Sequence, residues 1–269
     1  GYAFSYRGVA REFHHSTGAE FTDPVETLGE AAPAVSHDPG SARDIEVIIS
    51  DSQPIHGVQG CDRYYARAVR GIDNTVKTPR WLAHRLQRSG MRSLSPVVDA
   101  TNYAMLDLGQ PLHAYDLDKI IPPIVVRRAR EGEQLTTLDG KDHNLSPEDL
   151  LITDSPDGAQ GSRILGIAGV MGGMYGEVTE GTTNILIESA HFDPVSIARS
   201  ARRHKIPSEA SRRFERGVDT KLQPAAAEEA VQLIVKICGG QASDTPADYD
   251  QTVEMPSIRF KTSEVKRLT

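Results

Sequence analysis

The stretch Leu94–Ile120 reads LSPVVDATNYAMLDLGQPLHAYDLDKI, and its Gly-Gln-Pro step constrains the fold more than any other feature of the chain. Ala104, Met105 and Leu108 recur at near-helical spacing, Gly109 suits a left-handed C′ position, and Pro111 bars the helix from resuming. Ahead of them Pro96-Val97-Val98 is a strand-like apolar run, which leaves Asp99 or Thr101 to cap the helix. Past Gly109 the expectation is a tight polar-aromatic loop carrying Gln110, His113, Tyr115 and Asp116. Thr101, Asn102 and His113 then flank one short helix and can converge on a site. On spacing alone the stretch is a capped helix with a satisfied histidine.

Around this stretch the pattern is mixed. Ile45–Ser50, Tyr64–Ile72, Ile124–Arg130, Leu150–Thr153, Arg163–Ala168 and Asn184–Ser189 read as strands. Asp139-Gly140 marks a hairpin turn. Helices are expected from Thr78-Pro79 (Thr as cap, Pro at N1) to Gly90, over Pro194–His204, and over Gln223–Cys238. Strands outnumber helices without strict alternation, which predicts a mixed α/β chain of the α+β class, with stacked sheets and flanking helices. Tyr6–Phe13 has helical spacing, Thr17–Arg43 reads as a linker, and Pro256–Thr269 reads as a strand followed by a helix start at Ser263. Both ends look like parts of a longer polypeptide. The expected organisation is a tail and linker over 1–44, a central module over 45–245, and a linker with the start of another domain over 246–269.

Charge and cysteine content exclude several functions. The net charge of −7 does not suit a chain that clamps nucleic acid over its whole surface. Locally, Arg199, Arg202, Arg203, Lys205, Arg212, Arg213 and Arg216 face only Glu209 and Glu215. That run is either a solvated face with internal ion pairs or a phosphate-facing patch for RNA, and the sequence leaves the two even. Cys61 and Cys238 are far apart and form no C-x-x-C pair, which argues against a zinc site or disulfide framework and fits a reducing compartment. No run approaches the ~18 apolar residues of a membrane span. A cytoplasmic protein without a metal site is expected.

Two features carry chemistry. Gly166-Ile-Ala-Gly-Val-Met-Gly-Gly173 matches neither the dinucleotide nor the P-loop fingerprint; its glycines allow backbone to pack closely on backbone or on a ligand. Glu188 ends the apolar run Ile185-Leu186-Ile187, where a carboxylate is costly without a donor. Taken by itself, it is expected to cap the helix near Pro194 or to pair with an arginine. Neither a Ser-His-Asp nor a Cys-His nucleophile is indicated, and His191 and His204 read as surface or packing residues.

The wording of two blocks adds to this. SPVVDATNYAMLDLGQPLHAYDLDKI and ILIESAHFDPVSIARSARRHKIPSEASRRFERGVD resemble signatures of the β subunit of bacterial phenylalanyl-tRNA synthetase, within the central module that edits mischarged tRNA. The resemblance implies hydrolysis of tyrosine misattached to the phenylalanine tRNA, with Glu188 recognising the tyrosine para-hydroxyl. Ala168, Gly169 and Gly172 would supply pocket backbone. Thr101, Asn102 and His113 would surround the ester, with Ser208 and Ala210 at the rim; the family commonly has Thr where Ser208 stands, and both keep a hydroxyl. His113 is a candidate base, beside a water held by backbone and by the substrate's own ribose. Arg199, Arg202, Arg203, Arg212 and Arg213 become candidate RNA contacts. The resemblance further implies an α subunit in a heterotetramer of two α and two β chains. ATP and Mg2+ would serve that parent enzyme, and this segment would need no cofactor. The alternatives are a structural or tRNA-docking module without hydrolysis and a binding domain for a free aromatic amino acid.

Overall fold

The computed structural model describes residues 1–36 and 41–268. Residues 37–40 of the expected linker and Thr269 lie outside the described residues. The chain opens with α1 (Tyr6–Thr17) and α2 (Pro24–Ala31), then β1 (Val47–Ser50) and β2 (Cys61–Arg70). Next come α3 (Arg80–Arg88), α4 (Pro96–Leu108), β3 (Leu112–Asp116) and β4 (Ile124–Arg128). A hairpin of β5 (Gln134–Thr136) and β6 (Asp142–Asn144) precedes β7 (Leu150–Asp154), β8 (Arg163–Ile167) and β9 (Met171–Gly172). The long β10 (Asn184–Phe192) leads to α5 (Pro194–His204), α6 (Glu209–Phe214) and α7 (Gln223–Cys238). β11 (Gln241–Ala242), β12 (Ala247–Asp250) and α8 (Ser263–Leu268) complete the described chain.

Two sheets stack, with helices outside, and the mixed α/β class is as expected. One sheet runs β1-β4-β7-β8-β9; the other runs β11-β2-β10-β3, with β12 also paired to β2. β10 is its central strand, antiparallel to both β2 and β3. Side chains alternate across a strand, so the two faces of this sheet build separate cores. Tyr64, Ala66, Tyr115, Leu186 and Ala190 pack towards the first sheet, whereas Tyr65, Val69, Ile185 and Ile187 pack under α4 and α7 with Val97, Ala227, Val231 and Ile234. A strand buried on both faces reads as a continuous apolar run, which explains Ile185-Leu186-Ile187.

Several local expectations fail for identifiable reasons. α4 begins at Pro96 rather than after the valines: the Ser95 hydroxyl accepts from the Val98 N–H, and Pro96 takes N1, where it loses nothing. Asp99 is therefore no cap. It is fully buried and accepts from the Thr78 and Ser93 hydroxyls (2.6 and 2.5 Å) and the Leu94 N–H (2.9 Å). Thr78 is thereby withdrawn from capping α3, whose N-cap is Pro79 without a side-chain bond. The polar-aromatic loop after Pro111 is strand β3, because β10 offers it a complete ladder from Ile185 to Ser189. α2 lies inside the stretch expected as linker, capped by Asp23 and packed through Val25 and Leu28 against Leu108, Leu222 and Ala226. No strand forms over 256–261, where Ile258 and Phe260 stay exposed and unpaired in any sheet.

Candidate functional site

The site follows from strand register. Glu188 on β10 stands opposite Ala66 on β2 and His113 on β3. Residues directly opposite share a face, so Glu188 and His113 point the same way, between the two sheets. Two residues along, on the same face, are Tyr64 and Tyr115, both essentially without solvent contact. Their hydroxyls donate to one oxygen of Glu188, Oε2, at 2.8 and 2.7 Å. Oε1 accepts no hydrogen bond from the described residues, and Glu188 lines a cavity of about 300 Å³. The carboxylate is thus neither a helix cap nor an arginine partner: Asp193 caps α5, and no ion pair to Glu188 occurs among the described residues.

Burial pushes the Glu188 carboxyl above its ordinary range, and the two phenolic donors oppose that rise. Both phenols are in turn pushed well up by burial and by the adjacent carboxylate, so they remain donors at any ordinary pH. The effect is a carboxylate fixed in orientation at one oxygen, with the other facing the cavity.

The remaining walls come from the glycine loop and from the α5–α6 turn. Ala168, Gly169 and Gly172 line the cavity, as do Asn102, His113, Ser208 and Ala210. Gly172 makes room for the imidazole: a Cβ there would sit 2.7 Å from His113 Cε1. Gly169 has φ 64°, and its missing Cβ would meet Phe214 at 2.9 Å. His113 packs edge-on against Tyr115, with ring centroids 4.5 Å apart. Thr101 is placed differently, since its hydroxyl donates back to the Val98 carbonyl at 2.9 Å and it does not line the cavity. Ser208 reaches the rim as the N-cap of α6, its oxygen accepting from the Ser211 N–H. Sequence reasoning missed Tyr64 and Tyr115 as partners of Glu188, because only the pairing of β2 and β3 with β10 puts them there. Met105 and Phe214 also complete the apolar walls.

Burial lowers the His113 imidazole from its ordinary 6.5 to about 4, so it is neutral near pH 7. Between those two values the unfolded chain binds a proton that the folded chain refuses. Stability from this group therefore falls as pH drops from 6.5 towards 4 and is unaffected above that window. Proton NMR of the ring is expected to show a midpoint near 4. A midpoint near 6.5 would contradict the burial.

The arginine run resolves mostly into ion pairs. Arg199 and Arg203 bind Glu148, Arg203 also binds Asp149, and Arg212 and Arg213 both bind Glu209. Arg216 pairs with Glu215. Of the five candidate RNA contacts only Arg202 makes no ion pair among the described residues. His204 is also committed, bonding Asp149 at 2.7 Å. Among the described residues no group of three or more His, Cys, Asp or Glu could hold a metal ion, and no helix is long and apolar enough to cross a membrane.

Fold and site together define a stacked-sheet module around a cavity floored by a clamped carboxylate. Residues 60–239 match the family model described as B3/4 domain, and the chain belongs to that family. It is 65% identical over 269 residues to the phenylalanine–tRNA ligase beta subunit of Bifidobacterium longum, a match covering 100% of this chain and 31% of that protein. The corresponding protein of Leifsonia xyli is 49% identical over 268 residues, covering 100% of this chain and 30% of that protein. The resemblance carried by the two sequence blocks is thereby shown, and the chain spans about a third of the length of these curated relatives. Among solved structures, an N-terminal fragment of the phenylalanyl-tRNA synthetase beta-subunit from Pyrococcus horikoshii aligns with 74% of this chain and 57% of that chain, at 14% identity and a TM-score of 0.38. That likeness is a distant one.

Proposed function

We propose that the cavity hydrolyses the ester of tyrosine misattached to a phenylalanine tRNA, as the editing part of a phenylalanine–tRNA ligase. The observation that carries this reading is the clamped Glu188, with Oε1 left without a partner among the described residues in a cavity whose walls are mostly apolar. A pocket shaped for phenylalanine rejects an analogue with one added hydroxyl only ~10²-fold, so a second selection needs a group that rewards the hydroxyl. Glu188 is such a group. A tyrosine phenol donates to it, whereas phenylalanine leaves a buried acceptor unpaired.

In the hydrolysis, water attacks the ester carbonyl and the bond from the acyl carbon to the ribose oxygen breaks. The ribose oxygen ends as a hydroxyl and tyrosine leaves as the free acid. Neutral His113, its pKa lowered to about 4, can accept a hydrogen bond from the water and orient it, the Asn102 amide can donate to the oxygen that gains charge, and the water's proton ends on the ribose oxygen. In this reading the chain works in the cytoplasm with an α subunit, in an assembly of two α and two β chains. ATP and Mg2+ serve the ligation centre on α, and no residue of this chain is assigned to them.

The test is deacylation by the full-length assembled protein. Pre-charged Tyr-tRNA is expected to be hydrolysed far faster than Phe-tRNA, at a rate unchanged when the ligation reaction is withheld. Equal, background-level loss of both esters would overturn the reading and leave a module that only docks tRNA.

A further inference from the structure

The clearest unneutralised positive charge lies away from the arginine run already described. From Asn74 to Val98 the chain contains no Asp or Glu, but it carries Lys77, Arg80, Arg85, Arg88 and Arg92. All five are exposed, and none makes an ion pair among the described residues. Arg80, Arg85 and Arg88 lie on the outward face of α3, with Lys77 before it and Arg92 after it, and Leu82 and Leu86 are fully buried beneath. On solvated helices acids usually interleave with such cations, as Glu209 and Glu215 do on α6. Arg85 and Arg88, three residues apart, instead repel one another. In a chain of net charge −7, a one-sign helix face of this kind suits a polyanion.

Two further features specify which polyanion. Trp81, 43% exposed, meets Tyr103 edge-on at 5.8 Å, and the Arg85 guanidinium lies 5.3 Å from the Trp81 ring and donates to the Tyr103 hydroxyl at 2.9 Å. An open indole held beside an arginine is a platform for an unpaired base. The segment also leads to the cavity: Met91, just past α3, and Asn102, on the neighbouring α4, both line it. One carboxylate, Asp107, lies in the cleft beside Arg85 and Arg88.

We propose that the outer face of α3, with the turn that follows it, binds the backbone of an RNA whose unpaired 3′ end enters the cavity. What the 3′ end carries rests on the function proposed above; the binding of RNA by α3 does not.

The test uses the full-length protein with Arg80, Arg88 and Arg92 all changed to Glu, alongside Trp81→Ala and Arg199→Glu. Binding of a fluorescent RNA hairpin with an unpaired 3′ tail is read by anisotropy over a range of KCl. The triple variant is expected to bind at least about tenfold more weakly, with the slope of log Kd against log [KCl] reduced by about 2. Trp81→Ala is expected to weaken binding about fivefold or more. Arg199→Glu, which exchanges a surface ion pair with Glu148 for a like-charge contact, is expected to leave Kd and slope unchanged. The three reversed side chains are exposed, so melting temperature is expected to hold and any loss of binding is not loss of fold. Unchanged Kd and slope in the triple variant would overturn the proposal, as would an equal loss in Arg199→Glu. If α3 behaves as expected but neither ester is hydrolysed, the editing function alone fails. Normal hydrolysis of Tyr-tRNA with unaltered KM in the triple variant would sink the α3 surface and leave editing standing.

Discussion

Glu188→Ala is expected to lower the rate of Tyr-tRNA hydrolysis about ten- to a hundredfold while leaving phenylalanine charging nearly intact. The magnitude follows from one charge-assisted hydrogen bond, worth about 1.5–3 kcal/mol, present with tyrosine and absent with phenylalanine. The same change removes the acceptor of two buried phenols, each costing about 1–3 kcal/mol when left unpaired. Melting temperature is therefore expected to fall as well, and a rate measured on this variant alone would be ambiguous. Tyr115→Phe separates the two effects. It takes one donor from Oε2 and keeps the ring, so the carboxyl, already raised by burial, rises further and is protonated more readily as pH falls than in the unaltered protein. Tyr-tRNA hydrolysis in Tyr115→Phe should recover as pH increases, since deprotonation restores the acceptor. Unchanged Tyr-tRNA hydrolysis in Glu188→Ala, with reduced stability, would reduce Glu188 to a core carboxylate.

Asp99→Ala is expected to cost about 2–4 kcal/mol of stability, because it leaves buried donors without their acceptor, at about 1–3 kcal/mol for each that finds no other partner. The carboxylate is completely buried, and three donors converge on it from the Thr78 side chain, the Ser93 side chain and the Leu94 backbone. With the carboxylate gone, those donors face an apolar void and the loop between α3 and α4 loses its anchor. Urea denaturation is the appropriate measurement, with the midpoint shifted and the slope m retained. Because Met91 and Asn102 lie on either side of this anchor and line the cavity, a drop in hydrolysis should accompany the drop in stability. A loss below about 1 kcal/mol would mean that water replaces the carboxylate at this position.

The elements most legible in the sequence are those whose ends carry strong chemistry. Pro194–His204 and Gln223–Cys238 are legible to the residue, since proline stands in the first turn of each and Gly239-Gly240 follow the second. The start of α4 is not legible locally because Val97 and Val98 favour strands, while Ser95 and Pro96 together favour a helix start more strongly. β3 was invisible, since five residues of mixed polarity become a strand only when β10 supplies the ladder. The same non-local pairing hides the Tyr64–Glu188–Tyr115 clamp, whose members span residues 64 to 188. Charge density misleads in a similar way. The run at Arg199–Arg216 is the denser one, but Glu209 and Glu215 pair with Arg212, Arg213 and Arg216 inside it, and Arg199 and Arg203 pair with Glu148 and Asp149, some fifty residues away in sequence. The acid-free stretch from Asn74 to Val98 can be seen in the sequence by itself, and the structure adds that its cations remain exposed.

The central claim is that Glu188 Oε1 reads a phenol inside this cavity. It is tested most directly by calorimetric binding of two non-hydrolysable 3′-aminoacylamido-adenosines, one tyrosyl and one phenylalanyl, to the full-length protein and to Glu188→Ala. The tyrosyl compound is expected to bind about ten- to a hundredfold more tightly to the unaltered protein, and the difference is expected to disappear in the variant. Equal affinity of the two compounds for the unaltered protein, or a preference that survives in Glu188→Ala, would contradict it.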